Sequence, residues 1–276
     1  MAQNIKDFSR LCIHTVTTKP WNLGLAASRY AAAGVSGITV WRQALDGYAL
    51  NEARRIINNS GLRAVSLCRG GFFPAVNRKE REKAIEDNLD AIDAAASIGA
   101  PLVILVCGSS PYQSLETSRG QILEGIIRIL PYAEQCGIRM AIEPLHPMYA
   151  DSRSAINTLK QANDMCDKID SDYVGVAIDV YHLWWDDELE REIRRSGKNN
   201  KIFAFHVSDW LSPTQDMLND RGLMGDGCIP IRRIRGWVEA AGFDGFHEVE
   251  IFSTKHWNRN QDEFLQDILK AYWENV

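Results

Sequence analysis

Short apolar runs rich in β-forming residues recur eight times along this chain, and helical segments separate most of them. The segments between the runs repeat apolar residues at the period of an amphipathic helix, most clearly in Glu80–Ile98. Strands that alternate with helices predict a parallel sheet covered by helices, an α/β fold. The predicted strands are Arg10–Thr15, Gly37–Trp41, Leu62–Leu67, Pro101–Cys107, Arg139–Glu143, Val174–Asp179, Ile202–Ser208 and Phe246–Phe252. Further helices are predicted over Gln121–Gln135, Ser154–Cys166 and Gln261–Trp273.

Two arrangements of such a sheet are compatible with this order: an open, doubly wound sheet and a closed (β/α)8 barrel. A dinucleotide-binding open sheet has G-x-G-x-x-G after its first strand, whereas Thr15 is followed here by Val-Thr-Thr-Lys-Pro-Trp. No linker or low-complexity run divides the chain. We therefore predict a single (β/α)8 TIM barrel domain over residues 1–276. In such a barrel the reactive residues lie at the carboxyl ends of the strands.

The composition excludes several classes of protein. Acidic residues number 36 against 31 lysines and arginines, a net charge of −5, whereas a general nucleic-acid binder needs a basic face. No apolar run reaches the roughly 18 residues of a membrane span, and the N-terminus lacks the apolar stretch of a signal peptide. The six cysteines lie far apart without a CxxC pair, as in proteins with reduced thiols. We expect a cytoplasmic protein that binds a small molecule, not nucleic acid or membrane; a homo-oligomer is compatible with this composition.

Each of the last four predicted strands carries an acid or an imidazole within or at the end of its apolar run. The fifth ends in Glu143, the sixth ends in Asp179, the seventh carries His206, and the eighth carries Glu248 and Glu250. Burying such groups is costly unless they are paired or bound to a metal. Because neighbouring strands lie about 4.8 Å apart, we expect these side chains to converge on one point. Several carboxylates with one imidazole suit Mn²⁺, Mg²⁺ or Co²⁺.

Each of these residues also has a structural explanation when it is considered alone. Glu143 fits a strand-end cap, and Asp179 fits a helix N-cap. Glu248 and Glu250 have the same strand parity, so periodicity leaves either one open as the fourth ligand. Two histidines are expected to lie outside the site: His247, which has the opposite parity, and His256, which lies past the last strand.

Five motifs between Glu143 and Phe252 carry a resemblance to a known family. They read Ala-Ile-Glu143-Pro-Leu-His146-Pro, Asp179-Val-Tyr-His182, Phe205-His206-Val-Ser-Asp209, Asn219-Asp-Arg221 with Met224-Gly-Asp226-Gly, and Val249-Glu250-Ile-Phe. In their order and spacing the chain resembles the xylose-isomerase-like TIM barrel superfamily. The resemblance is to its sugar phosphate isomerase/epimerase branch, which includes ketose 3-epimerases, inosose dehydratase and keto-sugar lyases.

The resemblance implies a metal site that also performs the chemistry. It implies that Glu143, Asp179, His206 and Glu250 bind one divalent ion, and it favours Glu250 over Glu248 as the fourth ligand. We expect Mn²⁺ in preference to Mg²⁺ or Co²⁺. Glu143 and Glu250 are then the catalytic bases, on opposite sides of the substrate.

The same resemblance implies the residues that bind the substrate. His182, which follows the Asp ligand by three residues, and Arg221 in the long loop after the seventh strand would bind substrate oxygens. His146 and His14 are further candidates for substrate binding. The His146-Pro pair also fits a loop-shaping role, and His14 ends the first strand.

The loop from Asp209 to Cys228 is long for a compact barrel, and such loops are usually functional. We expect its Gly225-Asp226-Gly227 turn to fold the loop back over the pocket. Three tryptophans flank the same strand ends and are candidate apolar walls for a sugar ring: Trp184, Trp185 and Trp210.

The chain departs from the ketose 3-epimerases in one place. Those enzymes follow their first Glu with Asn-Arg-Phe-Glu, whereas Glu143 is followed here by Pro-Leu-His146-Pro. The extra acid that contacts the sugar is therefore missing, which favours cyclitols or oxidised sugars as substrates. Asp226 lies between the two loop glycines and would repel a phosphate, so we expect a neutral substrate.

The function implied is a divalent-metal-dependent sugar isomerase or epimerase that enolises a keto-sugar or keto-cyclitol at the carboxyl end of the barrel. A lyase or dehydratase that eliminates a β-substituent from the same enolate is the alternative. An endonuclease-IV-type phosphodiesterase shares the fold, but it needs more metal ions and more histidines than the six that are present.

Overall fold

The computed structural model describes residues 7–276, in which eight parallel strands close into a barrel. The strands are β1 (Leu11–His14), β2 (Gly37–Trp41), β3 (Arg63–Gly71), β4 (Leu102–Val106), β5 (Arg139–Glu143), β6 (Val174–Asp179), β7 (Ile202–Val207) and β8 (His247–Val249). They follow one another around the ring in chain order, and β8 closes it by pairing with β1. The predicted (β/α)8 barrel is confirmed. Residues 1–6, where the absence of a signal peptide was inferred, lie outside the described part.

Eight helices of at least ten residues lie between or after the strands in the described part of the chain. They are α1 (Leu23–Ala32), α2 (Leu50–Ser60), α3 (Arg78–Ile98), α4 (Leu115–Cys136), α5 (Leu159–Ile169), α6 (Leu189–Lys198), α7 (Ile231–Ala240) and α8 (Gln261–Asn275). Single helical turns occur at Arg42–Leu45, Pro147–Tyr149, Val180–Leu183 and Thr254–Trp257. Within residues 7–276, no helix is both long and apolar enough to cross a membrane.

Several element boundaries differ from the sequence prediction; α4, for example, begins at Leu115 and not at Gln121. Two of the differences have local reasons. Helix α5 begins at Leu159 and not at Ser154, because the Thr158 side chain caps the helix while Ser154 bridges to Gly108 at the end of β4. Strand β3 continues past its predicted end to Gly71, which still pairs with β4.

The alternation of side chains along the strands divides the core into an inner and an outer part. On β5, Met140 and Ile142 pack outward in the core shared with the helices, whereas Ala141 faces the barrel interior. Ala177 and Ala204 occupy the corresponding interior positions on β6 and β7. Every second residue of these strands therefore points inward, and this inward set includes the polar residues at the strand ends.

Strand β8 is shorter than the predicted run Phe246–Phe252. Its ladder ends at Val249, and the backbone beyond it bonds to neighbouring loops: the amide of Arg221 donates to the carbonyl of Phe252 at 2.9 Å. Glu250 consequently lies at the first position past the strand, at the rim of the barrel.

The long loop after β7 contains a two-stranded ribbon, Asp209–Trp210 with Arg221–Gly222. The Gly225-Asp226-Gly227 turn does not lie over the pocket as predicted, because Gly225 (φ +97°) packs against Asn275 at the end of α8. A different part of the loop approaches the barrel mouth, where the Tyr149 hydroxyl donates to the carbonyl of Met217.

Candidate active site

Four polar side chains meet at the carboxyl end of the barrel because each has the inward parity of its strand. Glu143 ends β5, Asp179 ends β6, His206 lies next to the end of β7, and Glu250 directly follows β8. All four are buried, and one potential ligand atom from each lies within 4.8 Å of the others. We call these residues the rim cluster. The predicted convergence is observed, and the role of these residues as metal ligands stays a prediction.

Cationic groups lie between the acids of the rim cluster. Nδ1 of His206 lies 2.8 Å from Oε1 of Glu143. Nη1 of Arg221 lies 3.0 Å from Oδ2 of Asp179 and 2.8 Å from Oε2 of Glu250. Three buried carboxylates this close together require positive charge. Carboxylate oxygens with one imidazole nitrogen form a donor set that fits a divalent metal ion.

Burial and neighbouring charges shift the protonation of this cluster. Burial raises the pKa of Asp179 to about 7, although the charge of Arg221 opposes this shift. Burial acts in the same direction on Glu250, but Arg221 and His14 outweigh it and hold the pKa of this carboxyl well below its usual range. Burial disfavours protonated His206, yet the hydrogen bond and charge of Glu143 raise its pKa to about 10.

The two oxygens of Asp179 have different surroundings, which suit both the helix N-cap and the metal ligand that were considered for this residue. Its Oδ1 accepts a hydrogen bond from the Tyr181 amide (2.8 Å) and caps the turn Val180–Leu183, while Oδ2 faces the rim cluster. The turn orients His182, whose Nε2 lies 3.1 Å from Nη2 of Arg221. Burial, together with the charge of Arg221, holds the pKa of His182 well below its usual value, so the imidazole is neutral.

Arg221, predicted to bind substrate, lies inside the site and not at its surface. It is only 3% exposed, and its guanidinium lies over the rings of Tyr181 and Phe252, at 4.4 and 5.2 Å from their centroids. Its charge is engaged with Asp179 and Glu250. A phosphate would have to displace these carboxylates, which agrees with the expectation of a neutral substrate.

The two further histidine candidates differ in their surroundings. His14 is fully buried, with Nδ1 3.0 Å from Oε1 of Glu250 and Nε2 3.2 Å from Oε2 of Glu248. His146 is partly exposed, and its Nδ1 accepts a hydrogen bond from the Met148 amide, which shapes the loop after β5. His14 therefore contacts the rim cluster directly, whereas His146 makes a hydrogen bond within its own loop. The substrate-binding roles of both residues stay predictions.

The tryptophans predicted as apolar walls gather beside this loop. Trp210 packs on Tyr181 and on His146, with ring centroids 4.9 Å apart in both pairs. Trp184 lies 5.7 Å from Trp210, and Trp185 lies 5.7 Å from His146. They form one aromatic group on the β5 to β7 side of the site.

A second layer of polar side chains lies below the rim cluster. Oε2 of Glu248 accepts hydrogen bonds from the hydroxyls of Thr39 (2.5 Å) and Ser66 (3.2 Å), and these hydroxyls lie 3.0 Å apart. We call Glu248, Thr39 and Ser66 the inner network. Neither Thr39 nor Ser66 was predicted as part of the site. Each is a hydroxyl residue at an inward position of a mostly apolar strand, and this pattern could have identified them.

The remaining histidines lie outside the site, where they were predicted. His247 faces the helices and lies 2.9 Å from the Tyr272 hydroxyl. His256 stacks on Phe264, with ring centroids 4.4 Å apart.

Comparison with known proteins gives a family and several relatives. The model of the xylose isomerase-like TIM barrel family matches residues 27–271. An inosose isomerase of Bacillus licheniformis is 24% identical over 204 residues, which cover 71% of this chain and 69% of the relative. The curated relatives are named as isomerases. This confirms the expectation that the chain is an isomerase or epimerase, without specifying its substrate.

Two solved structures share the fold over nearly the whole chain. A protein of Sinorhizobium meliloti 1021 is 45% identical with a TM-score of 0.92, and the alignment covers 95% of this chain and 97% of that one. The IolI protein, solved with a bound zinc atom, is 20% identical with a TM-score of 0.84, covering 95% and 96% of the two chains.

Proposed function

This chain belongs to the xylose isomerase-like TIM barrel family, and we propose that it is a divalent-metal-dependent isomerase or epimerase of a keto-sugar or keto-cyclitol. One observation carries the proposal: three carboxylates and one imidazole, all buried, have ligand atoms within 4.8 Å of one another at the carboxyl end of the barrel. In this fold that end is where the chemistry takes place. The inosose isomerase relative acts, by its name, on a keto-cyclitol.

The residues of the rim cluster suit the metal that the family implies. Glu143, Asp179, His206 and Glu250 would hold it, and their oxygen-rich donor set favours Mn²⁺, with Mg²⁺ and Co²⁺ as alternatives. The zinc atom of the IolI structure adds Zn²⁺ to the ions to be tested. When bound, such an ion polarises a carbonyl and its neighbouring hydroxyl, which acidifies the carbon between them.

Glu143 and Glu250 are positioned to move the proton on that carbon. Strands β5 and β8 lie three places apart around the ring, so the two carboxylates approach a substrate from different sides. His14 and Arg221 contact both oxygens of Glu250. Within the described part of the chain, Glu143 has a hydrogen-bond partner at Oε1 only, His206, which leaves its other oxygen available as the base that removes the proton. Epimerisation also needs a proton on the opposite face: protonated His14, whose Nδ1 lies 3.0 Å from Oε1 of Glu250, would pass its proton to Glu250, and Glu250 would pass it to the carbon, while Glu143 keeps the proton that it removed.

The remaining candidates bind and orient the substrate. Nδ1 of His182 is buried without a hydrogen-bond partner among the described residues, so it is available to a substrate hydroxyl. Arg221 fixes the orientation of Asp179 and Glu250 and offers its remaining donors to substrate oxygens. His14 holds Glu250 from the other side, and His146 borders the site with its aromatic neighbours.

Proton exchange in D₂O tests this function directly. Purified enzyme with added Mn²⁺ would be incubated with inososes and with keto-sugars, and deuterium incorporation would be followed by NMR. We expect exchange on at least one keto substrate, loss of exchange after chelation, and an epimer or isomer as the product. An eliminated product would instead identify the lyase alternative. No exchange on any keto substrate in the presence of metal would contradict the proposal.

A further inference from the structure

A cleft of about 630 Å³ opens beside the rim cluster. It lies between the loops that follow β1, β2, β7 and β8, and its volume is in the range of small-molecule sites. Its walls are mainly aromatic side chains: Trp21, Trp41, Tyr48, Phe252 and Trp257. We call it the aromatic cleft. It lies on the opposite side of the site from the group around Trp210.

The aromatic cleft shares a wall with the proposed active site. The indole nitrogen of Trp41 lies 3.2 Å from Nδ1 of His14, which contacts Glu250. Phe252 packs edge-on against Trp41 at 5.1 Å, and the guanidinium of Arg221 lies 5.2 Å from its ring. Trp41 and Phe252 therefore form the boundary between the rim cluster and the cleft, and a ligand that occupies both would lie along these two side chains.

The polar side chains of the cleft have the character of a site for a neutral polyol. Lys19, Gln43, Asp46 and Asn219 line it, and their side chains make no hydrogen bond to another described residue. Lys19 and Asp46 carry opposite charges, so the cleft has no net charge for a phosphate to neutralise. The Lys19 ammonium lies 4.6 Å over the ring of Trp257, which directs it toward this aromatic wall.

We propose that the aromatic cleft binds a second, neutral sugar ring of the substrate. The substrate class is then a keto-glycoside: its oxidised ring lies at the rim cluster, and its glycosidically linked ring stacks on Trp257 and Phe252. The apolar faces of a sugar ring suit aromatic walls, and its hydroxyls suit the free amide and charged groups. This inference deepens the proposed function and rests on it.

The first test compares two substrates that carry the same oxidised ring. Deuterium exchange with Mn²⁺ would be measured on methyl 3-keto-β-glucoside and on methyl β-cellobioside oxidised at carbon 3 of its non-reducing ring. We expect kcat/KM for the disaccharide to be at least about tenfold higher, mainly through KM, which corresponds to one well-stacked ring. The variant Trp257→Ala should remove most of this preference. Trp273→Ala, at an exposed tryptophan of α8 far from the cleft, should keep it.

A second measurement separates the cleft from the chemistry. Unoxidised methyl β-glucoside and methyl β-cellobioside have no carbonyl and cannot enolise, so the difference in their binding to chelated enzyme, observed by saturation-transfer NMR, reports on the second ring without the chemistry. Binding of methyl β-cellobioside that is lost in Trp257→Ala supports the cleft even when no keto-sugar exchanges. The absence of exchange would contradict only the proposed function. Exchange without any preference for the two-ring substrate would contradict the proposal that the aromatic cleft binds a second ring, and it would leave the proposed isomerase or epimerase function intact. If Trp257→Ala does not fold, Leu218→Arg, on a half-buried loop residue, fills the cleft instead and should remove the same preference.

Discussion

The rim cluster and the inner network both bury acids inside the barrel, but the partners of those acids differ. Glu248 receives hydrogen bonds from the hydroxyls of Thr39 and Ser66 and contacts His14, so the chain itself satisfies it. Among residues 7–276, Glu143 has one hydrogen-bond partner, His206. The difference lies in the charge of the partners: Glu248 accepts hydrogen bonds from two neutral hydroxyls, whereas the acids of the rim cluster lie against the cationic groups of Arg221 and His206. We therefore expect a structural role for Glu248 and metal binding by the rim cluster.

The largest effect should come from the acids themselves. Glu143→Gln and Glu250→Gln should each reduce metal-dependent kcat/KM by about 10²–10⁴-fold, since each removes a base and a charged ligand. Glu248→Gln, the matched variant in the inner network, should retain the metal. Exchange kinetics and elemental analysis of the purified variants check this. If Glu248→Gln lost the metal and Glu250→Gln kept it, Glu248 and not Glu250 would be the metal ligand.

Substitution of Glu248 should have a larger effect than substitution of Glu143 when stability is measured without metal. Glu248→Ala leaves Thr39, Ser66 and His14 without their acceptor, so the free energy of unfolding should fall by about 3 kcal/mol. Glu143→Ala removes one acceptor from one donor and relieves repulsion between acids, so it should cost only about 1 kcal/mol. Urea unfolding in the presence of a chelator compares the two. A larger loss in Glu143→Ala would contradict the distinction between the layers.

Arg221 tests whether the rim cluster depends on positive charge. Arg221→Met removes the cation between Asp179 and Glu250, so added metal should raise the Tm of this variant by at least about 3 °C more than that of the wild type. Arg195→Met, which removes the ion pair of α6 with Asp167, provides the control and should respond to metal as the wild type does. Equal metal shifts in both variants would show that Arg221 is not part of the charge balance.

The last prediction concerns a histidine outside both layers. Burial, with the charges of Lys255 and Arg259, lowers the pKa of His256 to about 4. Between pH 6.5 and 4 the unfolded chain binds a proton at this histidine that the folded chain does not bind. The free energy of unfolding therefore decreases as the pH is lowered, by at most about 1.4 kcal/mol per pH unit. His256→Phe keeps the stack on Phe264 without the titration, and its stability should fall less steeply over this range. Parallel curves from urea unfolding would refute this.

The regular part of the fold and the location of the site could be predicted from the sequence. The bounds of β2, β5 and β6 are as predicted, because apolar strands bounded by charged or turn residues carry their own signal. Glu143 and Asp179 could be located for the same reason, since each is an acid at the end of such a strand.

What could not be predicted depends on contacts between distant segments. Glu248 and Glu250 share a parity, and only the three-dimensional arrangement separates the acid beside Thr39 from the acid beside Arg221. The aromatic cleft was missed because its walls come from four loops, and no local pattern links Trp41 to Trp257. The turn around Gly225 was placed wrongly because its position is set by packing against α8.

The double use of Asp179 has an evolutionary consequence. One of its oxygens caps a helical turn and the other faces the rim cluster. Both the local fold and the proposed chemistry therefore constrain the residue at this position. If the ion that we propose were lost in a descendant, this position would still need a capping residue, and Asn, Ser or Thr would satisfy it. Positions 143 and 206, whose side chains cap no described helix, would be free to drift toward the apolar residues of the interior. The order in which these positions change would then record the loss of catalysis in a lineage that kept the barrel.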